Sequence, residues 1–170
     1  MDPSAATHTA ADVIRLLALE PLPHEGGWFR RTAEATECRP DGRRDWSMIH
    51  ALFTPDNFSA LHRLAVEEIW CFQGGDPLEV LQLIEDSGRA EHVTLGAAIA
   101  TGQRLHVAIP RGIWQGARVI PGGRWSLVSC ISIPEFRWQD FELGERNMLA
   151  RKFAAVAHDI ALLARAEGTL

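Results

Sequence analysis

Short apolar segments separated by glycine- and proline-containing turns occupy most of the chain between residues 28 and 133. The turns recur at nearly regular intervals, which is typical of an antiparallel sandwich or barrel. The pattern therefore predicts a mainly β fold. Its strands are Trp28–Thr32, Trp46–Thr54, two strands in the hairpin 59–78, Leu78–Glu85, Ala90–Leu95, Arg104–Ile109, Ile113–Val119 and Trp125–Ile133.

Helical spacing flanks this β region on both sides. Thr9 and Asp12 fit a capped helix start, and an apolar stripe follows until Pro21. A longer stripe predicts one terminal helix, which packs on the outside of the barrel or on a second subunit. Its positions are Leu149, Phe153, Val156, Ile160 and Leu163. We expect a flexible tail over residues 1–10 and a single domain over residues 11–165.

Composition limits the classes of function that need to be considered. The chain has 170 residues, 46% of them hydrophobic and 23% charged, which suits one globular domain. Its net charge of −5 and scattered basic residues provide no surface for nucleic acid. Three well-separated cysteines favour neither a disulfide framework nor a thiolate zinc site. Because the first residues lack the features of a secretory signal, we expect a cytoplasmic protein without a membrane partner.

The hairpin 59–78 carries the strongest candidate for a site. His62 and Leu64 share one face of its first strand, and Glu68 stands at the start of the second. The later segment 109–115, which ends at Gln115, is the predicted partner of this hairpin. A histidine and a carboxylate that converge among apolar residues indicate a pocket. Glu25 is a further candidate, because the glycines after it allow either a close approach to a ligand or a tight turn.

These positions resemble the two motifs of the cupin superfamily. The first motif has two histidines separated by one residue, then a glutamate and a glycine, and the second has a proline, a glycine and a histidine. The residues that match are His62, Glu68, Gly75, Pro110 and Gly112. Leu64 replaces the second histidine and Gln115 replaces the third. Two of the four usual metal ligands of a cupin are therefore absent.

More narrowly, the chain resembles the cupin-5 (DUF985) family over roughly residues 11 to 143. The segments that carry the resemblance are 17–27, 62–78, 110–115 and 126–143. The resemblance implies a cupin barrel (a double-stranded β-helix or jelly roll), generally a homodimer, with a small-molecule pocket in its mouth. It also implies an architectural kinship with the dTDP-4-keto-6-deoxyhexose 3,5-epimerases, which work without a metal.

We expect a metal-independent isomerase or epimerase that moves a proton next to a carbonyl of a sugar-like or other small polar metabolite. His62 is the predicted base, and Glu68 is its partner or acid. Gln115 and Arg30 are the candidate donors to a developing enolate. No tyrosine occurs in the chain, so the tyrosine acid of the sugar epimerases has no counterpart.

Two alternatives remain open. One is a metal-dependent cupin enzyme (dioxygenase, isomerase or lyase) with a divalent metal on His62, Glu68 and Gln115, and with His50 or His106 as an added ligand. The other is a non-catalytic protein that binds a small ligand between aromatic walls, above all Trp70 and Trp114, which lie beside motif residues. Both tryptophans and His50 are also compatible with plain core positions. The predicted substrate-binding residues are Gln115, Trp70, Trp114, Arg30, Glu25 and His50.

Overall fold

Two antiparallel sheets and three short α-helices make up the part of the chain that the computed structural model describes, residues 8–165. The helices are α1 (Ala10–Leu16), α2 (Arg146–Lys152) and α3 (Ala157–Leu163). The strands are β1 (Glu20–Pro21), β2 (Trp28–Glu34), β3 (Ser47–Phe53), β4 (Ser59–Leu64), β5 (Glu67–Gly75), β6 (Leu78–Ile84), β7 (Arg89–Leu95), β8 (His106–Ile109), β9 (Trp114–Val119), β10 (Ser126–Ile133) and β11 (Phe141–Leu143). Between residues 8 and 165, no helix is long and apolar enough to cross a membrane.

The order of the strands brings distant segments together. One sheet has six strands in the order β1-β2-β3-β10-β5-β8, and the other has five in the order β11-β4-β9-β6-β7. Alternate residues of both sheets point inward and form the main core, which includes Phe53, Trp70, Val80 and Val128. The predicted mainly β architecture is confirmed. The short strands β1 and β11 were not predicted, because neither is long enough to show an alternating pattern.

The first helix begins as predicted. Thr9 Oγ1 accepts a hydrogen bond from the Asp12 amide (3.2 Å), and the Asp12 carboxylate accepts one from the Thr9 amide (3.1 Å). This reciprocal pair is a capping box. Of the tail predicted for residues 1–10, residues 1–7 lie outside the described part of the chain, whereas Thr9 caps α1 and Ala10 opens it.

The predicted C-terminal helical segment is confirmed, but it is not continuous. Phe153 leaves the helical region at φ −121°, ψ 57°, and a 3₁₀ turn over Ala154–Val156 separates α2 from α3. The apolar stripe is nevertheless buried, because both helices pack on the outer face of the five-stranded sheet. The residues in this contact include Leu149, Phe153, Ile160 and Leu163 from the helices and Leu61, Leu81, Leu83 and Trp114 from the sheet. The predicted packing on the outside of the barrel is confirmed.

The segment that carries Glu25 is a tight turn held against the protein itself. Gly26 and Gly27 have φ values of 106° and 80°. A Cβ on Gly26 would lie 2.5 Å from the Phe58 carbonyl oxygen, and one on Gly27 would lie 2.6 Å from the Phe53 ring. Only glycine combines these dihedral angles with such close contacts. The glycines therefore make room for protein atoms, as the tight-turn interpretation requires.

We predict that Gly27→Ala lowers the free energy of unfolding by about 3 kcal/mol, because it adds a clash with the Phe53 ring to the strain of a left-handed backbone. Urea denaturation measures the change. Gly42→Ala is the matched control: Gly42 has a φ of 74° but no heavy atom within 4 Å of its Cβ position, so we expect about 1 kcal/mol. Equal losses in the two variants would contradict the close contact at Gly27.

Candidate functional site

Glu68, Gln115 and His62 meet inside the barrel, as their positions in the sequence motifs predict. Glu68 lies near the start of β5 in the six-stranded sheet, whereas His62 and Gln115 lie directly opposite each other on β4 and β9 of the other sheet. The Gln115 amide donates a 2.7 Å hydrogen bond from Nε2 to Glu68 Oε2. Trp70 Nε1 donates to the same oxygen at 2.9 Å. The carboxylate is thus fixed by one donor from each sheet.

Burial dominates the electrostatics of Glu68. Only 7% of the residue is exposed, and this desolvation raises the pKa of its carboxyl above the usual range. The charge of His62 and the hydrogen bonds from Trp70 and Gln115 act in the opposite direction, and the Glu25 carboxylate adds to the increase. A carboxyl group in this setting is suited to hold a proton and release it to a neighbour.

His62 is held as a proton acceptor. Its Nδ1 lies 2.8 Å from the Ala60 carbonyl oxygen, which can only accept a hydrogen bond, so Nδ1 carries the proton of the neutral ring. Nε2 then presents its lone pair, and it makes no hydrogen bond to any residue between 8 and 165. The ring is 1% exposed and stacks on Phe141 with centroids 5.2 Å apart. One tautomer and one ring orientation are therefore selected.

A cavity of about 280 Å³ lies near this pair. The chemistry-bearing and aromatic residues on its walls include Glu25, Phe29, Arg31, Cys130, Ser132 and Trp138. Ser132 pairs directly with Glu68 across β10 and β5, and Trp138 packs edge-on against the Phe141 ring that covers His62. Glu68 and His62 are not themselves among the residues that line the cavity: Ser132 connects it to Glu68, and Trp138 and Phe141 lie between it and His62.

Glu25 forms part of the cavity wall, as its selection from the sequence predicts. Ser59 Oγ donates a 2.6 Å hydrogen bond to the Glu25 carboxylate, and the Glu25 carbonyl oxygen accepts from the Ala60 amide at 2.9 Å. Ala60 is also the residue whose carbonyl oxygen holds His62. The turn 22–27 and strand β4 thus position the second carboxylate and the histidine together.

Cys130 is a buried thiol on the cavity wall. Burial, together with the charges of Glu68 and Glu25, raises the pKa of this thiol well above its usual value. It is therefore a neutral, apolar-like part of the wall.

The structure does not bring Trp114 to the cavity, which corrects its selection as a substrate-binding residue. Trp114 points to the outer face of β9, under α2 and α3. Its Nε1 donates to Glu85 at 3.1 Å, and the Arg63 guanidinium lies 4.5 Å above its ring. Trp70 does point inward, but it does not line the cavity. It stacks on Phe53 and helps to hold the Glu68 carboxyl through its hydrogen bond.

Arg30 and His50 lie on the outer face of the six-stranded sheet, which corrects their selection as well. They pair with each other across β2 and β3. Arg30 is exposed, and His50 Nδ1 lies 3.1 Å from Ser129 Oγ. Since successive strand residues point to opposite faces, the neighbouring Arg31 is the arginine that reaches the cavity. His106 is exposed on the edge strand β8, opposite Cys71 rather than Glu68.

Sequence reasoning missed Arg31, Arg137, Cys130 and Ser132. The alternation of β2 was an available signal, because Phe29 and Arg31 share one face. Arg137 carried no such signal, since it lies in the irregular segment between β10 and β11.

The fold and the site agree with the comparisons to solved structures. The chain is similar to a structural-genomics protein from Shewanella oneidensis (30% identity, TM-score 0.87, 95% of this chain and 100% of the other covered). It is also similar to a hypothetical protein from Leishmania major (29% identity, TM-score 0.84, 94% and 100% covered). Oxalate decarboxylase from Bacillus subtilis shares the fold at 14% identity and a TM-score of 0.55, over 85% of this chain and 37% of the enzyme.

These relationships define a cupin sandwich. The family model described as cupin superfamily (DUF985) matches residues 11–144. The chain therefore belongs to the DUF985 family of cupins, as the motifs indicated. No curated protein matches the chain.

The donors present do not fit the metal centre that many cupins carry. Leu64 offers no ligand atom, and Gln115 turns its amide nitrogen toward Glu68, which leaves Gln115 Oε1 buried without a hydrogen-bond partner. Glu68 Oε2 already accepts two hydrogen bonds. Within residues 8–165, no three His, Cys, Asp or Glu side chains lie close enough together to hold a metal ion. The alternative set of His62, Glu68 and Gln115 is therefore not preformed.

We predict that Glu68→Gln gains stability relative to the wild type as the pH rises above 4.5. The folded state holds the Glu68 proton more tightly than the unfolded state, so folding is favoured below the unfolded pKa and loses that contribution as the pH rises. Urea denaturation at several pH values measures the difference. Glu85→Gln is the control with the opposite sign, because hydrogen bonds from Lys152 and Trp114 lower the pKa of Glu85. If the stabilities of the two variants changed with pH in the same direction relative to the wild type, the raised pKa of Glu68 would be contradicted.

We predict that Trp70→Phe raises the pKa of Glu68 further, because it removes one of two hydrogen bonds to the ionised form and keeps an aromatic ring against Phe53. The ¹³C shift of the Glu68 carboxyl, followed by NMR as a function of pH, reports this pKa. Trp114→Phe removes the equivalent bond to Glu85 on the outer face and should leave Glu68 unchanged. An unchanged Glu68 pKa in Trp70→Phe would refute the role of the indole.

Proposed function

We propose that this protein is an isomerase or epimerase that binds a small polar metabolite and moves a proton next to its carbonyl group. The proposal rests on the pairing of a proton acceptor, His62, with a proton donor, Glu68. His62 Nε2 presents a lone pair because Nδ1–H is engaged by the Ala60 carbonyl oxygen. Glu68 is a buried carboxyl whose pKa is raised. Such pairs of groups with different environments support acid–base assignments.

The reaction begins when His62 Nε2 takes the proton from the carbon next to the carbonyl. The electron pair of the broken C–H bond forms the enol double bond, and the carbonyl oxygen takes the proton of Glu68. His62, now an imidazolium, is stabilised by the Glu68 carboxylate. The isomer forms when His62 gives its proton to the former carbonyl carbon and Glu68 takes the proton of the neighbouring hydroxyl group. The epimer forms when water protonates the opposite face of the enol, Glu68 takes back the enol proton and His62 releases its proton to water.

Two features of the chain assign the acid role to Glu68 in this proposal. No tyrosine occurs in the sequence, so a phenol cannot supply the proton. The Gln115 amide is committed to Glu68 at 2.7 Å, so its role is to position the carboxyl, and the predicted donation from Arg30 has no support because Arg30 lies on the outer face.

Non-catalytic binding is a second candidate, and the cavity itself favours it. A volume of about 280 Å³ with aromatic walls and charged residues at the opening suits one small ligand whether or not a reaction follows. Wild-type protein that binds ligands without moving a proton would support this second function.

We predict that the wild type exchanges carbon-bound hydrogen of a carbonyl substrate with deuterium from D₂O. Aldo and keto sugars, uronic acids and 2-oxo acids are incubated with the protein and followed by ¹H NMR. Because each acid or base contributes about 10²- to 10⁴-fold, Glu68→Gln and His62→Gln should each slow exchange by at least roughly 100-fold. Glu85→Gln on the outer face is the control and should exchange like the wild type. Exchange that survives in both site variants would refute the proposal.

A further inference from the structure

The opening of the cavity is marked by two arginines from different parts of the chain. Arg31 comes from β2, and Arg137 comes from the segment that follows β10. Both guanidinium groups approach the same carboxylate, that of Glu135, with Arg137 Nη2 at 3.2 Å and Arg31 Nη1 at 3.8 Å. The two cations therefore converge closely enough to act on one anionic group.

Much of the hydrogen-bonding capacity of these arginines is unused. Each guanidinium has five N–H donors. Arg31 hydrogen-bonds only through Nη1, to Glu34, and Arg137 only through Nη2, to Glu135 and to the Gly42 carbonyl oxygen, among residues 8–165. Nε and the second Nη of each side chain make no hydrogen bond within that range. Charge-assisted donors of this kind suit carboxylate and phosphate oxygens.

The two ends of the cavity differ in exposure and in charge. Its arginines are partly exposed, at 41% and 38% of their side chains, whereas Ser132 and Cys130 are buried beside Glu68. The Glu25 carboxylate would repel an anionic group, whereas the free N–H donors of Arg31 and Arg137 can receive it at the other end. There, Glu34 and Glu135 balance only part of the hydrogen-bonding capacity of the two arginines. Beyond the lining residues, Gln115, which hydrogen-bonds to Glu68, keeps its Oε1 buried without a hydrogen-bond partner, and such an acceptor suits a hydroxyl donor.

We propose that the cavity takes a small anionic hydroxy-carbonyl metabolite, with its carboxylate or phosphate group on Arg31 and Arg137 and its carbonyl end beside His62 and Glu68. This assignment deepens the proposed function and rests on it for the position of the reacting carbon. The volume of about 280 Å³ limits the ligand to one small molecule, because it lies just below the usual range of ligand pockets, about 300 to 1,000 Å³.

The test compares anionic probes with neutral probes of similar shape. Glucuronate and glucose 6-phosphate are measured against glucose, and 2-oxobutyrate against butanone, by saturation-transfer NMR and by the ¹⁵N shifts of the arginine side chains. We expect at least one anion to bind roughly tenfold more tightly than its neutral counterpart, with the carboxylate and phosphate arms showing which group is preferred. Arg31→Gln and Arg137→Gln should each weaken that binding roughly tenfold. Arg118→Gln is the matched control, since Arg118 pairs with Glu79 away from the cavity, and it should bind like the wild type.

Equal binding of neutral and anionic probes, unchanged binding in both arginine variants, or no binding of any anion in the millimolar range would overturn the assignment. Glu68→Gln, measured in parallel, should lose deuterium exchange and retain anion binding. Anion binding without exchange in the wild type would therefore refute the catalytic step alone. Exchange of neutral and anionic carbonyl compounds at equal rates would refute the anion assignment alone.

Discussion

The hydrogen bond between Gln115 and Glu68 connects the two sheets across the interior, and the geometry of the site depends on it. A buried carboxyl without partners would oppose folding, so the donors from Gln115 and Trp70 are needed to keep it inside. The same bond fixes the position of β9 relative to β5, and β9 in turn places His62 opposite Gln115. This one contact therefore helps to position both the sheets and the residues of the candidate site.

His62 and Glu68 keep their places in this cupin site although Leu64 and Gln115 stand at two positions that carry histidine in the cupin motifs. Two protein donors hold Glu68 from one side, and Leu64 fills the position of a histidine with an apolar side chain. Burial raises the pKa of this carboxyl, against the opposing effect of the two hydrogen bonds. The hydrogen bond from Gln115 to Glu68 leaves the Gln115 amide oxygen buried without a hydrogen-bond partner, which is unfavourable.

The sequence predicted the architecture and the inner group of the site well, because both depend on strong local patterns. Apolar runs between turns located the long strands, and the motif spacing located His62, Glu68 and Gln115.

It was harder to predict which face of the sheet each strand residue would reach. Arg30 and Arg31 differ only in which face they reach, and a register shift between Arg31 and Ala33 disturbs the alternation of β2. The position of Trp114 was predicted wrongly because the outer face of β9 is buried as well as the inner face. The helices α2 and α3 cover it, and the sequence around Trp114 does not show that they pack there. The break at Phe153 left no signal, because the apolar stripe continues across it.

The raised pKa of the Cys130 thiol also bears on how the cavity withstands oxidation. Peroxides and alkylating agents attack the thiolate form of cysteine. Burial and the carboxylates of Glu68 and Glu25 disfavour that form at Cys130, so the desolvation that raises the pKa of Glu68 also protects the thiol beside it. Under oxidative stress, the cavity wall would therefore keep its shape while the exposed Cys38 remains open to reagents from solvent.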